Sequence, residues 1–176
     1  MNKKNLKRLV LKGKTAVFID WANVYGWKKS LKRSIDPKKL FDYLKSYAEI
    51  VDIGFYFGED DHPKSKKFLS ETRKIGYKVI TKPVKYILIA EVDGQKIYRR
   101  KCDFDMETCI DVHKILNNAA SFVFLTGDGD YEPLYKLLIE LKKQVIVVYT
   151  PGHLGKEIQA MKKGVFKIEL ENLMDL

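Results

Sequence analysis

Short apolar runs alternate with amphipathic helical stretches along this chain, and that rhythm narrows its folding options more than any other feature. "TAVFID" at 15–20, "IVDIGFYFG" at 50–58, "YKVITK" at 77–82, "SFVFLT" at 121–126 and "QVIVVYT" at 144–150 suit buried parallel strands. Between them, "DPKKLFDYLKSYA" reads as a helix with Asp36 as its cap, Pro37 in its first turn, and Leu40, Phe41 and Leu44 on one face. "HPKSKKFLSETRKIG" is a second helix, closed by Gly76. "FDMETCIDVHKILNNA", "YEPLYKLLIELKK" and "HLGKEIQAMKKG" are three more, and "VFKIEL" is a short closing strand. Strand–helix alternation of this kind implies a parallel sheet with helices on both faces. One segment breaks it: "KYILIAEVDGQKIYRRK" at 85–101 reads as a β-hairpin turning at Asp93-Gly94. With 176 residues and no internal repeat or linker, the expectation is one α/β domain with the hairpin inserted.

No apolar run approaches the roughly 20 residues of a membrane span, so a membrane-embedded role is not expected. The basic start "MNKKNLKRLVLKGK" lacks the sustained apolar segment of a signal peptide. Cys102 and Cys109 are the only cysteines. On a helix they would stand about 10 Å apart, too far for an easy bridge, and they have no zinc-type spacing. This points to a reducing cytoplasm. The formal net charge of +10 favours a polyanionic partner, most simply nucleic acid. The basic residues fall in several clusters, including Lys28 with Lys29, and Arg99, Arg100 and Lys101.

Sites in parallel α/β folds lie at the carboxyl ends of the strands. Three segments bring aspartates there: "FIDWANVYG", "KCDFDMETCIDV" and "TGDGDYEP". Clustered carboxylates repel one another unless a cation neutralises them, and Mg²⁺ and Mn²⁺ prefer oxygen ligands. On a basic protein the natural chemistry is metal-dependent hydrolysis of a phosphodiester. Each aspartate also has a simpler reading. Asp130 is as well suited to capping a helix as to holding a metal, whereas capping is less natural for Asp20. Asp103 would cap the following helix while Asp105 faces the site. Asp111 lies six residues beyond Asp105, about 120° round a helix, so the two do not share a face. Glu107 reads as solvated, and His62, His113 and His153 as structural or surface residues.

"AVFIDWANVYG" resembles the opening motif of NYN-domain proteins, with an aspartate at the strand end and an asparagine three residues later. "KCDFDMETCIDVHKIL" resembles their middle motif and "FVFLTGDGDYEPLYKLLIELKKQVIVV" their third; the LabA-like group is the nearest in pattern. The resemblance implies a PIN-like three-layer α/β/α sandwich: a mostly parallel sheet of about five strands between helices, and an acidic pocket that binds Mg²⁺ or Mn²⁺. It implies ribonuclease activity. Asp20, Asp105 and Asp128 would be the central acidic residues, with Asp130 beside them and Asp111 in a secondary place. Asn23 would orient Asp20 or a metal-bound water, and Thr126 would hydrogen-bond near the scissile phosphate.

The expected reaction is endonucleolytic cleavage of RNA. Lys28, Arg99, Arg100 and Lys101 are candidates to hold the backbone, and Trp21, Tyr25 and Trp27 to stack unpaired bases. Tyr131 also lies close to an acidic motif. A haloacid-dehalogenase-like phosphatase fits less well, because the residue two after Asp20 is Ala22 and not a second aspartate. A nucleic-acid-binding or regulatory module with little catalysis is the non-enzymatic alternative. The hairpin is expected to shape a substrate groove or an oligomer contact.

Overall fold

The computed structural model describes residues 6–174. A six-stranded sheet forms its centre: β1 (Thr15–Asp20), β2 (Ile50–Tyr56), β3 (Lys78–Ile80), β6 (Ser121–Leu125), β7 (Gln144–Tyr149) and β8 (Val165–Glu169). Their spatial order is β3-β2-β1-β6-β7-β8, and every neighbouring pair is parallel. The sheet is thus one strand wider than the five expected, because "VFKIE" joins the edge beside β7. The hairpin strands β4 (Lys85–Val92) and β5 (Gln95–Lys101) form a separate two-stranded antiparallel sheet. Asp93 and Gly94 turn it with φ of 50° and 75°, as a type I′ turn requires.

Side-chain alternation along the strands builds two cores, one on each face. Val17 and Ile19 pack with Ile53, Phe55, Val123, Leu125, Ile146 and Val148 on one side. Ala16 and Phe18 pack with Tyr56, Phe122, Phe124, Val145 and Val147 on the other. Phe18 stacks against Phe124 at 5.2 Å and against Phe122 at 6.3 Å, which locks neighbouring strands in register. Each fully buried side chain of this kind contributes about 1.5–3 kcal/mol.

The helices are α1 (Trp21–Gly26), α2 (Lys28–Leu31), α3 (Pro37–Lys45), α4 (Pro63–Ile75), α5 (Asp105–Ile115), α6 (Glu132–Glu140) and α7 (Lys156–Ala160). Asp36 caps α3 by accepting from Lys38 N at 2.7 Å, and Pro37 occupies its first turn. The α4 helix starts on a cap from His62 Nδ1 and stops at Gly76, whose φ of 116° is accessible to glycine. This gives one of the histidines a structural role. His153 has another, pairing with Ser30 Oγ at 2.7 Å.

The direction of winding reverses between β1 and β6: from β1 the chain builds outward through β2 and β3, and from β6 through β7 and β8. A crevice opens at the carboxyl ends of the two strands flanking such a reversal. Here those ends are Asp20 and the Thr126–Asp128 segment.

Candidate active site at the carboxyl edge of the sheet

Asp20 closes β1 and serves as the N-cap of α1, accepting from Asn23 N at 3.1 Å. Capping, the less natural role for it from sequence, is therefore real. The strand runs straight into the helix, and the aspartate is the one residue able to satisfy the helix start. Asn23 orients Asp20 through its backbone. Its side chain does something else: Oδ1 accepts from Trp27 Nε1 at 3.0 Å and from Gly127 N at 3.1 Å, tying α1 to the loop after β6.

In that loop Thr126 is 2% exposed. Its hydroxyl lies 3.5 Å from Asp20 Oδ2 and accepts from Asp128 N at 3.2 Å, so it bridges the two aspartate segments. Asp128 caps the short 3₁₀ turn Gly129–Tyr131, accepting from Asp130 N at 3.0 Å. The cap is thus Asp128 and not Asp130, which is exposed. Gly127 is required by close approach: a Cβ there would lie 1.4 Å from the His153 carbonyl oxygen. At Gly129 a Cβ would meet the Glu157 carboxylate at 2.1 Å.

Asp105 opens α5. Its neighbour Asp103 does not cap that helix; the cap position is Phe104, and Asp103 pairs with Lys101 at 3.3 Å. Asp20 feels the charges of Asp128 and Asp105, and Asp105 that of Asp128. The Asp20 carboxyl is raised from 3.8 to about 6, first by burial, then by Asp128 and Asp105, against the lowering bond from Asn23 N–H. Asp105 is raised as well, by burial and then by Asp128, Asp103 and Asp130, with Tyr131 opposing.

Asp111 belongs elsewhere. Its carboxylate accepts from Tyr56 Oη at 3.0 Å and Lys114 Nζ at 2.8 Å, with Lys78 at 3.9 Å, which holds it below its ordinary range despite burial. These contacts tie α5 to β2 and β3, and the helical phase sets Asp111 about 120° round α5 from Asp105. Glu107 is not simply solvated: it pairs with Lys82 at 2.7 Å.

Two stacking candidates are also corrected. Trp27 is completely buried, with its indole N–H spent on Asn23. Trp21 is 3% exposed, packed 4.8 Å from Phe55 and 5.8 Å from Phe68. Tyr25 is 52% exposed, with Lys28 Nζ 4.2 Å above its ring. A groove of about 540 Å³ is lined by Trp21, Tyr25, Phe57, Asp60, His62, Lys64, Tyr86 and Arg100. Arg100 enters it from β5 and pairs with Asp60 at 3.1 Å, while Arg99 and Lys101 are exposed on the same strand. Sequence reasoning missed Phe57, Tyr86 and Glu157. Phe57 directly follows the end of β2, a position that the carboxyl-edge rule flags, whereas Glu157 lies in the first turn of α7.

Among the described residues no three His, Cys, Asp or Glu side chains stand close enough together to hold a metal ion between them. The chemistry of the donors nevertheless fits a hard divalent cation. The donors are all oxygens, and burial, followed by the charges of Asp128 and Asp105, pushes the Asp20 carboxyl up, an effect that a cation would relieve. Mg²⁺ suits such a set, since it keeps several waters and takes only one or two carboxylates directly.

The fold is a parallel α/β sheet with aspartates at the carboxyl ends of the two strands that flank its reversal point. The chain belongs to the NYN domain family, whose model matches residues 14–169. This is a family of PIN-like nuclease domains, and membership supports a nuclease and RNA-related role. The chain is 28% identical over 146 residues to the Low amplitude and bright protein LabA of Synechococcus elongatus, covering 82% of this chain and 77% of that protein. It is also similar in fold to the crystal structure of a protein of unknown function from Vibrio parahaemolyticus. That match has a TM-score of 0.69 and 21% identity, covering 98% of this chain and 99% of the other. No helix among the described residues is long and apolar enough to cross a membrane.

Proposed function

We propose that the protein is a metal-dependent ribonuclease, cutting RNA internally through the pocket formed by Asp20, Asp105 and Asp128. The observation that carries this is the placement of Asp20 at the sheet's reversal point, within range of the charges of Asp128 and Asp105, its carboxyl raised to about 6 first by burial and then by those two. The +10 net charge and the NYN family membership support the same reading.

One or two of Asp20, Asp105 and Asp128 would ligate Mg²⁺ or Mn²⁺ directly, with Asp130 at the exposed margin. A divalent cation there supplies an acidified water and neutralises charge developing on the phosphate. The chain's own part is positional. Asn23 N–H fixes Asp20, and Thr126 Oγ1 links Asp20 to Asp128. The Asn23–Gly127 bond keeps the two loops in register. The groove that begins at Trp21 offers exposed Tyr25 to a base, and Lys64 and Arg100 to phosphates, with Lys28 beside Tyr25. Arg99 and Lys101 extend the positive surface along β5. Both cysteines are free, which suits a reducing cytoplasm.

The test is cleavage of a labelled RNA by purified protein with Mg²⁺ or Mn²⁺, with Asp20→Asn as the control. Metal-dependent cleavage that disappears in the variant is expected. RNA binding without cleavage, indifferent to metal and to Asp20, would identify a binding module instead.

A further inference from the structure

The β4–β5 hairpin stands apart from the main sheet, and every one of its residues is exposed. Tyr86, Ile87, Leu88, Ile89, Val92, Ile97 and Tyr98 are each 45–58% exposed, a concentration of bare apolar side chains found nowhere else on the described surface. A two-stranded hairpin is marginally stable in water unless something covers it. Contiguous apolar surface of this kind marks an interaction site.

The cross-strand register sorts the hairpin into two faces. Tyr86 opposes Arg100 and Leu88 opposes Tyr98 on the face that leads into the groove beginning at Trp21. On the other face Ile87 opposes Arg99, Ala90 opposes Ile97, and Val92 opposes Gln95. This second face is apolar in its outer half, which gives a phosphate backbone little to bind. It is also bipolar. The turn carries Asp93, whereas Lys85, Arg99 and Lys101 stand at the base, with Lys101 paired to Asp103. Two such hairpins laid antiparallel would bring the turn of one against the base of the other, matching Asp93 with Lys85 and Arg99 at both ends. Apolar side chains would meet in the middle. A surface that complements itself under a two-fold rotation is what a symmetric dimer needs. The register shift between Leu88 and Ala90 interrupts the free edge of β4, so the contact is face to face and not an extended ladder.

We infer that two copies of this chain associate through their hairpins, packing the Ile87, Ala90, Val92 and Ile97 faces antiparallel. The contact is independent of the nuclease reading.

Sedimentation of the full chain across a concentration series, with and without Val92→Glu/Ile97→Glu, tests it. The wild type is expected to sediment as a dimer. The double variant is expected to dissociate at least about tenfold more readily while keeping its circular dichroism. Arg99→Glu, which sets like charges against Asp93, is expected to weaken the dimer as well. A monomeric wild type would overturn the inference. So would a dimer unchanged in the double variant, or a monomer whose RNA affinity falls with Val92→Glu/Ile97→Glu, which would identify RNA as the occupant.

Discussion

The side-chain oxygen of Asn23 accepts the backbone N–H of Gly127 at 3.1 Å, across a sequence separation of 104 residues. This bond joins the loops that carry Asp20 and Asp128, while the same oxygen holds Trp27 Nε1. Asn23→Ala leaves two largely enclosed donors unpaired, and a cost of about 1–3 kcal/mol is expected. Urea unfolding reads this directly. Cleavage should fall by more than the loss of folded protein accounts for, because the two aspartate loops lose their shared tie.

Gly127→Ala is expected to destabilise the chain by about 3 kcal/mol, because the added carbon meets a backbone oxygen and not a yielding side chain. Gly26→Ala is the matched control. Nothing lies within 4 Å of its added Cβ, so the effect should stay within about 0.5 kcal/mol or be slightly favourable. Thermal melts of the two variants side by side check the contrast.

Much of this architecture is legible in the sequence because apolar runs and helix caps are local signals. Asp36, Pro37 and Gly76 bound their helices as composition requires, and Asp93-Gly94 turns its hairpin. What was not legible depends on packing. Trp27 is a surface aromatic by position near the motif, yet an asparagine four residues earlier draws its N–H inward. Asp20 and Asp128 each combine two roles, capping a helical turn and pointing charge at the rim, and a spacing rule cannot separate the two. The groove is assembled from α1, the β2–α4 loop and the hairpin, which only the tertiary fold brings together.

The raised Asp20 carboxyl makes a signed prediction for metal-free protein. Its pKa is about 6 when folded against 3.8 in the unfolded reference, so the folded state binds more protons between these values. Its contribution is present in full below pH 3.8 and is lost as pH rises through about 6. The limit is about 3 kcal/mol, reduced by partial exposure. In chelator, Asp20→Asn should therefore gain about 1–2 kcal/mol over the wild type at pH 7.5, and the gain should vanish near pH 4. Added Mn²⁺ should raise the melting temperature of the wild type and leave the variant unmoved.

Asp111 separates resemblance from geometry. Its partners are Tyr56, Lys114 and Lys78, and it lies about 120° round α5 from Asp105. Asp111→Asn should cost about 1–2 kcal/mol in stability and leave cleavage by the folded protein within about twofold. Denaturation combined with initial rates distinguishes the two effects.

The most direct test of the account compares initial rates of RNA cleavage in Mn²⁺ for wild type, Asp20→Asn and Asp111→Asn at matched folded concentration. The account predicts a loss of at least about 100-fold for Asp20→Asn, the scale of removing an electrostatic group from a reaction centre, and near wild-type rates for Asp111→Asn. Wild-type cleavage by Asp20→Asn would contradict it.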